Sequence, residues 1–217
     1  LDVGTYDGML AFELERRGAS EVWATDVPDH EGWDWLPRDR EAGLGYVKAV
    51  AGKKGRGFEI AAEILGSKVR RRFMSVYDLD PSDLGEFDVV VCGSLLLHLR
   101  DPFRALESVR RVCRGVFLSI EVIDVLSTIL HPRRASFFLK GHDGQWLVPS
   151  AAGHRRMLNV AGFDVVEASR PFAEPEGLGH PYSERTIKTR LTKLLCHGEG
   201  VPVQAVLSRP AALGASS

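Results

Sequence analysis

Leu1-Asp2-Val3-Gly4-Thr5-Tyr6-Asp7-Gly8, continuing to Ala24-Thr25-Asp26, is the stretch that decides the fold of this chain. A short apolar run ends in an acid and a glycine turn. Met9, Leu10, Phe12 and Leu14 then recur three and four residues apart, which predicts a helix over 7–17 stopped by Gly18. A second apolar run, Glu21 to Thr25, closes on another acid, Asp26. Strand, glycine loop, helix, strand and acid, in that order, build a nucleotide-type pocket at the carboxyl edge of a parallel sheet. Gly4 and Gly8 allow a sharp turn and a close approach to a ligand. Asp26 lies 22 residues beyond Gly4, near the spacing of ~20 at which an acid meets ribose hydroxyls.

Outward from this unit the pattern repeats. Phe58 to Leu65 reads as a helix and Arg72 to Val76 as a third strand ending at Tyr77-Asp78. Phe87-Asp88-Val89-Val90-Val91-Cys92 is a nearly continuous apolar run, the kind buried on both faces of a parallel sheet. Pro102 to Cys113 reads as a helix with proline in its first turn, and Gly115 to Glu121 as a fifth strand. Ser150 can cap a helix that runs to Ala161 and stops at Gly162, and Phe163–Ala168 and Val203–Leu207 are the last strands. The alternation predicts a Rossmann-like, doubly wound α/β fold with a mostly parallel seven-stranded sheet and helices on both faces. Residues 27–57, rich in Pro, Gly, Trp and charge, read as a long functional loop. With 122–150 and 170–200 they are the segments expected to shape the acceptor pocket.

The 217 residues suit one domain, expected over 1–210, with a flexible tail at 211–217. The chain starts inside its first strand and without Met, so that strand reads as truncated at the amino terminus. No apolar run reaches the ~18 residues that would span a bilayer. Cys92, Cys113 and Cys196 are odd in number and far apart, which argues against a disulfide framework and suits a reducing cytoplasm. A net charge of −1 gives no global attraction to nucleic acid, although residues 36–72 hold ten Lys or Arg against four acids. Oligomeric state is not readable from the sequence.

The glycine spacing narrows the ligand. A dinucleotide fingerprint needs G-x-G-x-x-G, and here Tyr6 stands where its middle glycine would be. A bulky side chain there crowds a diphosphate, which disfavours a nicotinamide-dependent oxidoreductase. Asp2, Gly4 and Gly8 resemble motif I of class I S-adenosylmethionine-dependent methyltransferases, acid-x-Gly-x-Gly-x-Gly, from which Tyr6 departs. Residues 87–102, with Cys92-Gly93 and Leu97-His98-Leu99-Arg100-Asp101-Pro102, resemble the segment that lines the donor pocket in that family. Together with Trp146-Leu147-Val148-Pro149-Ser150 and Ala161-Gly162-Phe163, they are most similar to the tRNA 5-methoxyuridine methyltransferase-like family.

The resemblance implies S-adenosyl-L-methionine, or its carboxylated form, as donor. It implies a donor site of Asp2, Gly4, Thr5, Tyr6, Gly8, Asp26, Asp78, Cys92 and Gly93, with Asp78 near the adenine amino group. It admits two acceptors, a small molecule methylated at a hydroxyl and a tRNA wobble uridine. A hydroxyl must lose its proton, and His98 is the best-placed base in the sequence; it can equally anchor its loop by bonding a backbone carbonyl. A catalytically silent adenosyl-binding module stands as a further alternative. Asp29-His30-Glu31 with Asp34 offers hard metal ligands without zinc-site spacing. Trp33, Trp35 and Trp146 can stack a planar substrate or pack a lid. Ser150 and His154 sit one helical turn apart, but no acid and no G-x-S-x-G elbow accompanies them.

Overall fold

The computed structural model describes residues 1–50, 53–142, 144–175 and 187–212. The amino-terminal unit is β1 (Asp2–Val3), α1 (Met9–Arg16) and β2 (Trp23–Asp26). α2 (Arg40–Val50), α3 (Arg56–Leu65), β3 (Arg70–Phe73), α4 (Pro81–Leu84) and β4 (Phe87–Gly93) follow. The second half runs α5 (Pro102–Val112), β5 (Cys113–Val122), α6 (Val125–Leu130), β6 (Phe137–His142), β7 (Gln145–Pro149), α7 (Ala151–Val160), β8 (Phe163–Ala168), β9 (Phe172–Glu174), α8 (Ile187–Cys196) and β10 (Val201–Pro210).

The main sheet has the order β3-β2-β1-β4-β5-β10-β8, and β9 pairs with β10 as an eighth strand. Neighbours from β3 to β5 are parallel, while β10 runs antiparallel to β5, β8 and β9. The predicted mostly parallel α/β sheet is present. The additional strand is the short β9, whose three residues carry too little alternation to be read from sequence. Strand order reverses between β1 and β4, and in open α/β sheets ligands bind at such a switch point.

Two apolar layers hold the helices to the sheet. On one side Val3, Val90, Cys92 and Phe117 pack with Leu106 and Val109 of α5 and Leu158 of α7. On the other, Ala11 and Phe12 of α1 meet Ala24 of β2 and Phe58 of α3. The predicted Ser150 cap is in place, and Asp101 caps a second helix whose start the sequence marked only by Pro102. Asp101 Oδ1 accepts from Arg104 N at 3.0 Å to start α5, and Ser150 Oγ accepts from Gly153 N at 3.0 Å to start α7.

Three readings of the sequence need correction. Residues 27–57 are not one loop, because α2 lies within them and α3 begins at Arg56. The glycines of α2 lower its propensity and hid it. The third strand is Arg70–Phe73, two residues earlier than expected, because an edge strand keeps charged side chains in solvent. The segment 122–150 contains α6 and a separate two-stranded sheet of β6 and β7. Of the tail expected to be flexible, 211–217, residues 213–217 lie outside the described residues, while Ala211 N donates to Gly162 O.

Candidate donor and acceptor site

The glycine loop is braced from below by Asp2. Its buried Oδ2 accepts from Thr5 Oγ1 at 2.6 Å and from the α1 amide of Ala11 at 3.1 Å. Burial raises the Asp2 pKa to about 6, against the two hydrogen bonds that lower it. Gly4 N and Thr5 N both donate to Thr25 O, at 2.9 and 3.1 Å, stitching the loop to the end of β2. Gly4, Tyr6 and Gly8 have φ of 73°, 46° and 90°. Tyr6 therefore adopts the left-handed backbone that the missing middle glycine would supply, a strained state for tyrosine. Its ring points outward, 44% exposed.

The two glycines serve different ends. A Cβ on Gly4 would press the Leu95 side chain at 2.9 Å, so this glycine lets the β1 and β4 loops close on each other. A Cβ on Gly8 would collide with Phe12 and Phe58, so Gly8 serves helix packing. Gly93 follows the Val3–Cys92 pairing and stands level with Gly4 across the switch point.

Asp26 closes the other side. Oδ2 accepts from Tyr6 N at 3.0 Å and pairs with Lys54 Nζ at 2.5 Å, while Oδ1 accepts from Val27 N at 2.8 Å. A carboxylate has about four acceptor sites, so a ribose hydroxyl still finds room. Asp2, Gly4, Thr5, Tyr6, Gly8, Asp26 and Gly93 are thus brought together. Two predicted donor residues stand elsewhere. The Cys92 side chain is buried in the core beneath the sheet edge, and burial pushes its thiol pKa well up. Asp78 is exposed on the 3-10 turn Val76–Asp78 and lines a groove of about 1110 Å³ with Arg104, Glu107 and Gly162. No glycine-loop residue lines that groove.

Beyond β4 the chain turns at Ser94, another non-glycine at positive φ (50°), into the 3-10 turn Leu96–His98. The buried Glu121 of β5 holds this turn: Oε1 accepts from Leu95 N and Leu96 N, both at 3.3 Å. Burial raises the Glu121 pKa to about 8, although its backbone hydrogen bonds pull the other way. His98 extends from the turn with Nδ1 2.8 Å from Gly144 O, in the connection between β6 and β7. A carbonyl only accepts, so Nδ1 carries the hydrogen and the neutral ring presents Nε2 as a free base. Desolvation lowers the His98 pKa, against the raising effect of that carbonyl.

A polar knot ties the loops above the sheet edge. Asp34 Oδ2 accepts from Tyr77 Oη at 2.5 Å and from Arg100 N at 2.8 Å, and Trp146 Nε1 donates to Asp34 O at 2.7 Å. Asp101 N donates to Tyr77 Oη at 3.1 Å. Trp35 Nε1 donates to His30 O at 2.6 Å, and Trp33 packs on the Trp35 ring. Trp33, Trp35 and Trp146 are thus held by contacts among these loops. Asp29 caps the turn His30–Gly32 and Glu31 pairs with Lys48; among the described residues no group fit to hold a metal ion is found. His154 Nε2 meets Ser119 Oγ at 2.9 Å, not Ser150, and burial lowers its pKa to about 3. It is a core histidine.

Glu121, Lys54 and Tyr77 were missed by sequence reasoning, and Asp34, read there among hard metal ligands, instead accepts from Tyr77 Oη and Arg100 N. Only Glu121 left a signal, as a lone acid in the apolar strand Leu118-Ser119-Ile120-Glu121-Val122. Its raised pKa fixes a pH dependence of stability. Between the unfolded value of 4.5 and about 8 the folded state holds a proton that the unfolded state has lost. Folding stability should therefore fall as pH rises through this window. Melting curves from about pH 5 to about pH 9 should show a steeper decline for the wild type than for Glu121→Gln; parallel slopes would remove Glu121 as their source.

The model of the methyltransferase domain family matches residues 1–116, which include the glycine loop, Asp26, Glu-free β4 and the His98 turn. No curated protein matches the chain in sequence. Among solved structures, the methyltransferase complexed with its Trm112 activator from Haloferax volcanii superposes with a TM-score of 0.61 at 14% identity, over 97% of this chain and 81% of that one. Magnesium protoporphyrin IX methyltransferase from Synechocystis PCC 6803 with bound S-adenosylhomocysteine gives 0.54 at 14% identity, covering 97% and 73%. The N-terminal domain of EvdMO1 with S-adenosylhomocysteine and D-fucose gives 0.53 at 18%, covering 97% and 75%. These likenesses carry the fold, and the match over more than half of the sequence carries the family: the chain belongs to the methyltransferase domain family.

Proposed function

We propose that this methyltransferase moves a methyl group from S-adenosylmethionine to a hydroxyl of a small molecule, with His98 as the base. The observation that carries the reading is the His98–Gly144 hydrogen bond, in which Nδ1 carries the hydrogen and leaves Nε2 as the base, on the turn that follows β4 at the switch point. S-adenosylmethionine supplies an electrophilic methyl on an already activated sulfonium, so alignment accounts for much of the rate. Asp26 accepts from the ribose, the Gly4–Leu95 contact fixes the gap between the two loops, and Glu121 holds the turn that bears His98. As the new oxygen–carbon bond forms and the sulfur–carbon bond breaks, Nε2 takes the hydroxyl proton.

The tRNA reading, and with it the carboxylated donor, rests on the resemblance to the tRNA 5-methoxyuridine methyltransferase-like family. Three arginines of the basic stretch are already engaged within the chain. Arg70 pairs with Glu21 and Arg72 with Asp83, both at 2.6 Å, and Arg71 packs between Phe58 and Phe73. Counterion-release binding needs free cations on a broad face. A screen of hydroxylated metabolites and bulk tRNA for transfer of labelled methyl tests the assignment. Label in a small hydroxylated product supports it, and label confined to tRNA overturns the acceptor.

A further inference from the structure

Lys54 is a buried cation with no part in the reading above. Its side chain is 1% exposed, at the start of α3, and Nζ lies 2.5 Å from Asp26 Oδ2 and 3.0 Å from Val27 O. Burying an ammonium costs free energy that one carboxylate often only offsets, so such a pair is weak evidence of a stability role. The local backbone is built to hold the residue there. Gly55 has φ of 81° and a Cβ on it would collide with Arg71, while a Cβ on Gly57 would collide with the Asp7 carboxylate. The start of α3 is thereby pressed against β3 and the glycine loop. Nζ also sits 5.8 Å from the centre of the Tyr6 ring.

We propose that Lys54 is a donor-binding residue, the cationic half of a clamp that reads the ribose diol together with Asp26. The inference rests on the adenosyl-donor reading. Oδ2 already accepts from Tyr6 N and Nζ, so a ribose hydroxyl takes the open site on Oδ1, on the same carboxylate that Nζ holds. An ammonium has three donors, and among the described residues Lys54 uses two. The third is available to a hydroxyl oxygen, so one hydroxyl can accept from Lys54 while donating to Asp26. Burial and the nearby Arg71 lower the Lys54 pKa, and Asp26 opposes them. The clamp comes from the segment between β2 and β3, outside the glycine loop, and selects for an unmodified ribose.

Calorimetry with S-adenosylhomocysteine and its 2′-deoxy and 3′-deoxy analogues tests this on the wild type, Lys54→Met and Lys54→Gln, each checked by thermal melting. Lys54→Met should bind S-adenosylhomocysteine about 10- to 100-fold more weakly, the range for a hydrogen bond to a charged group. One deoxy analogue should be about 10-fold or more weaker than the parent on wild type, and by a much smaller factor on Lys54→Met. Equal or tighter binding by a folded Lys54→Met overturns the clamp and makes Lys54 a structural or blocking cation. If neither variant folds, the Lys54 ammonium resonance of the wild type decides: it should move with S-adenosylhomocysteine and not with the discriminating analogue. An unmoved resonance overturns the proposal. Wild type that binds no S-adenosylhomocysteine fails the donor reading itself, a separate and recognisable outcome.

Discussion

His98→Ala should retain donor affinity and lose about 10²- to 10⁴-fold in turnover, the range for a positioned proton acceptor. The ring has two separable tasks. Nδ1–H ties the turn Leu96–His98 to Gly144 O, and Nε2 faces away from that bond with a free lone pair. Alanine removes both, whereas His98→Gln keeps a donor for the carbonyl and offers no base near neutral pH. Glutamine should therefore be nearly as slow as alanine. Because desolvation lowers the His98 pKa, wild-type turnover should stay flat at neutral pH and fall only as pH drops below the ordinary histidine range. Near-normal turnover of His98→Gln would place the residue in the scaffold and leave alignment alone to carry the rate.

Asp26→Ala should weaken S-adenosylhomocysteine by about 1.5–3 kcal/mol, the scale of a hydrogen bond to a charged partner. It should also destabilise the fold, because the Lys54 ammonium and Tyr6 N lose their shared acceptor. Breaking a buried ion pair by removing one partner costs about 3–5 kcal/mol, more than most surface substitutions. Asp26→Asn keeps an acceptor for Tyr6 N and should lie between the two proteins in both measurements. Calorimetry and chemical denaturation on the same samples separate the effects. Unchanged donor affinity in a folded Asp26→Ala would show that the ribose is read elsewhere.

The parts legible in the sequence are those governed by local rules. Periodicity and caps placed α1, α5 and α7, and the short spacing from Gly4 to Asp26 brought the loop and the acid together because β1 and β2 are neighbours. What the sequence hid depends on contacts between distant segments. Lys54 reaches Asp26 only because Gly55 and Gly57 let α3 crowd the glycine loop. Glu121 reads as a strand residue until β5 lies beside β4 and aims it at the Leu95 and Leu96 amides. Gly4 was placed correctly but for another reason, since its missing Cβ makes space for Leu95. Asp78 shows the converse. A polar residue after a strand is common turn chemistry, and here it faces a groove apart from the loop.

The crevice between the Gly4–Gly8 loop and the His98 turn is expected to bind an adenosyl methyl donor. Titrating the wild-type chain in parallel with S-adenosylmethionine and with NADH tests it most directly. Saturable one-to-one binding of S-adenosylmethionine is expected, and none of NADH, whose G-x-G-x-x-G fingerprint is broken at Tyr6. Tight NADH binding with no S-adenosylmethionine binding would contradict it.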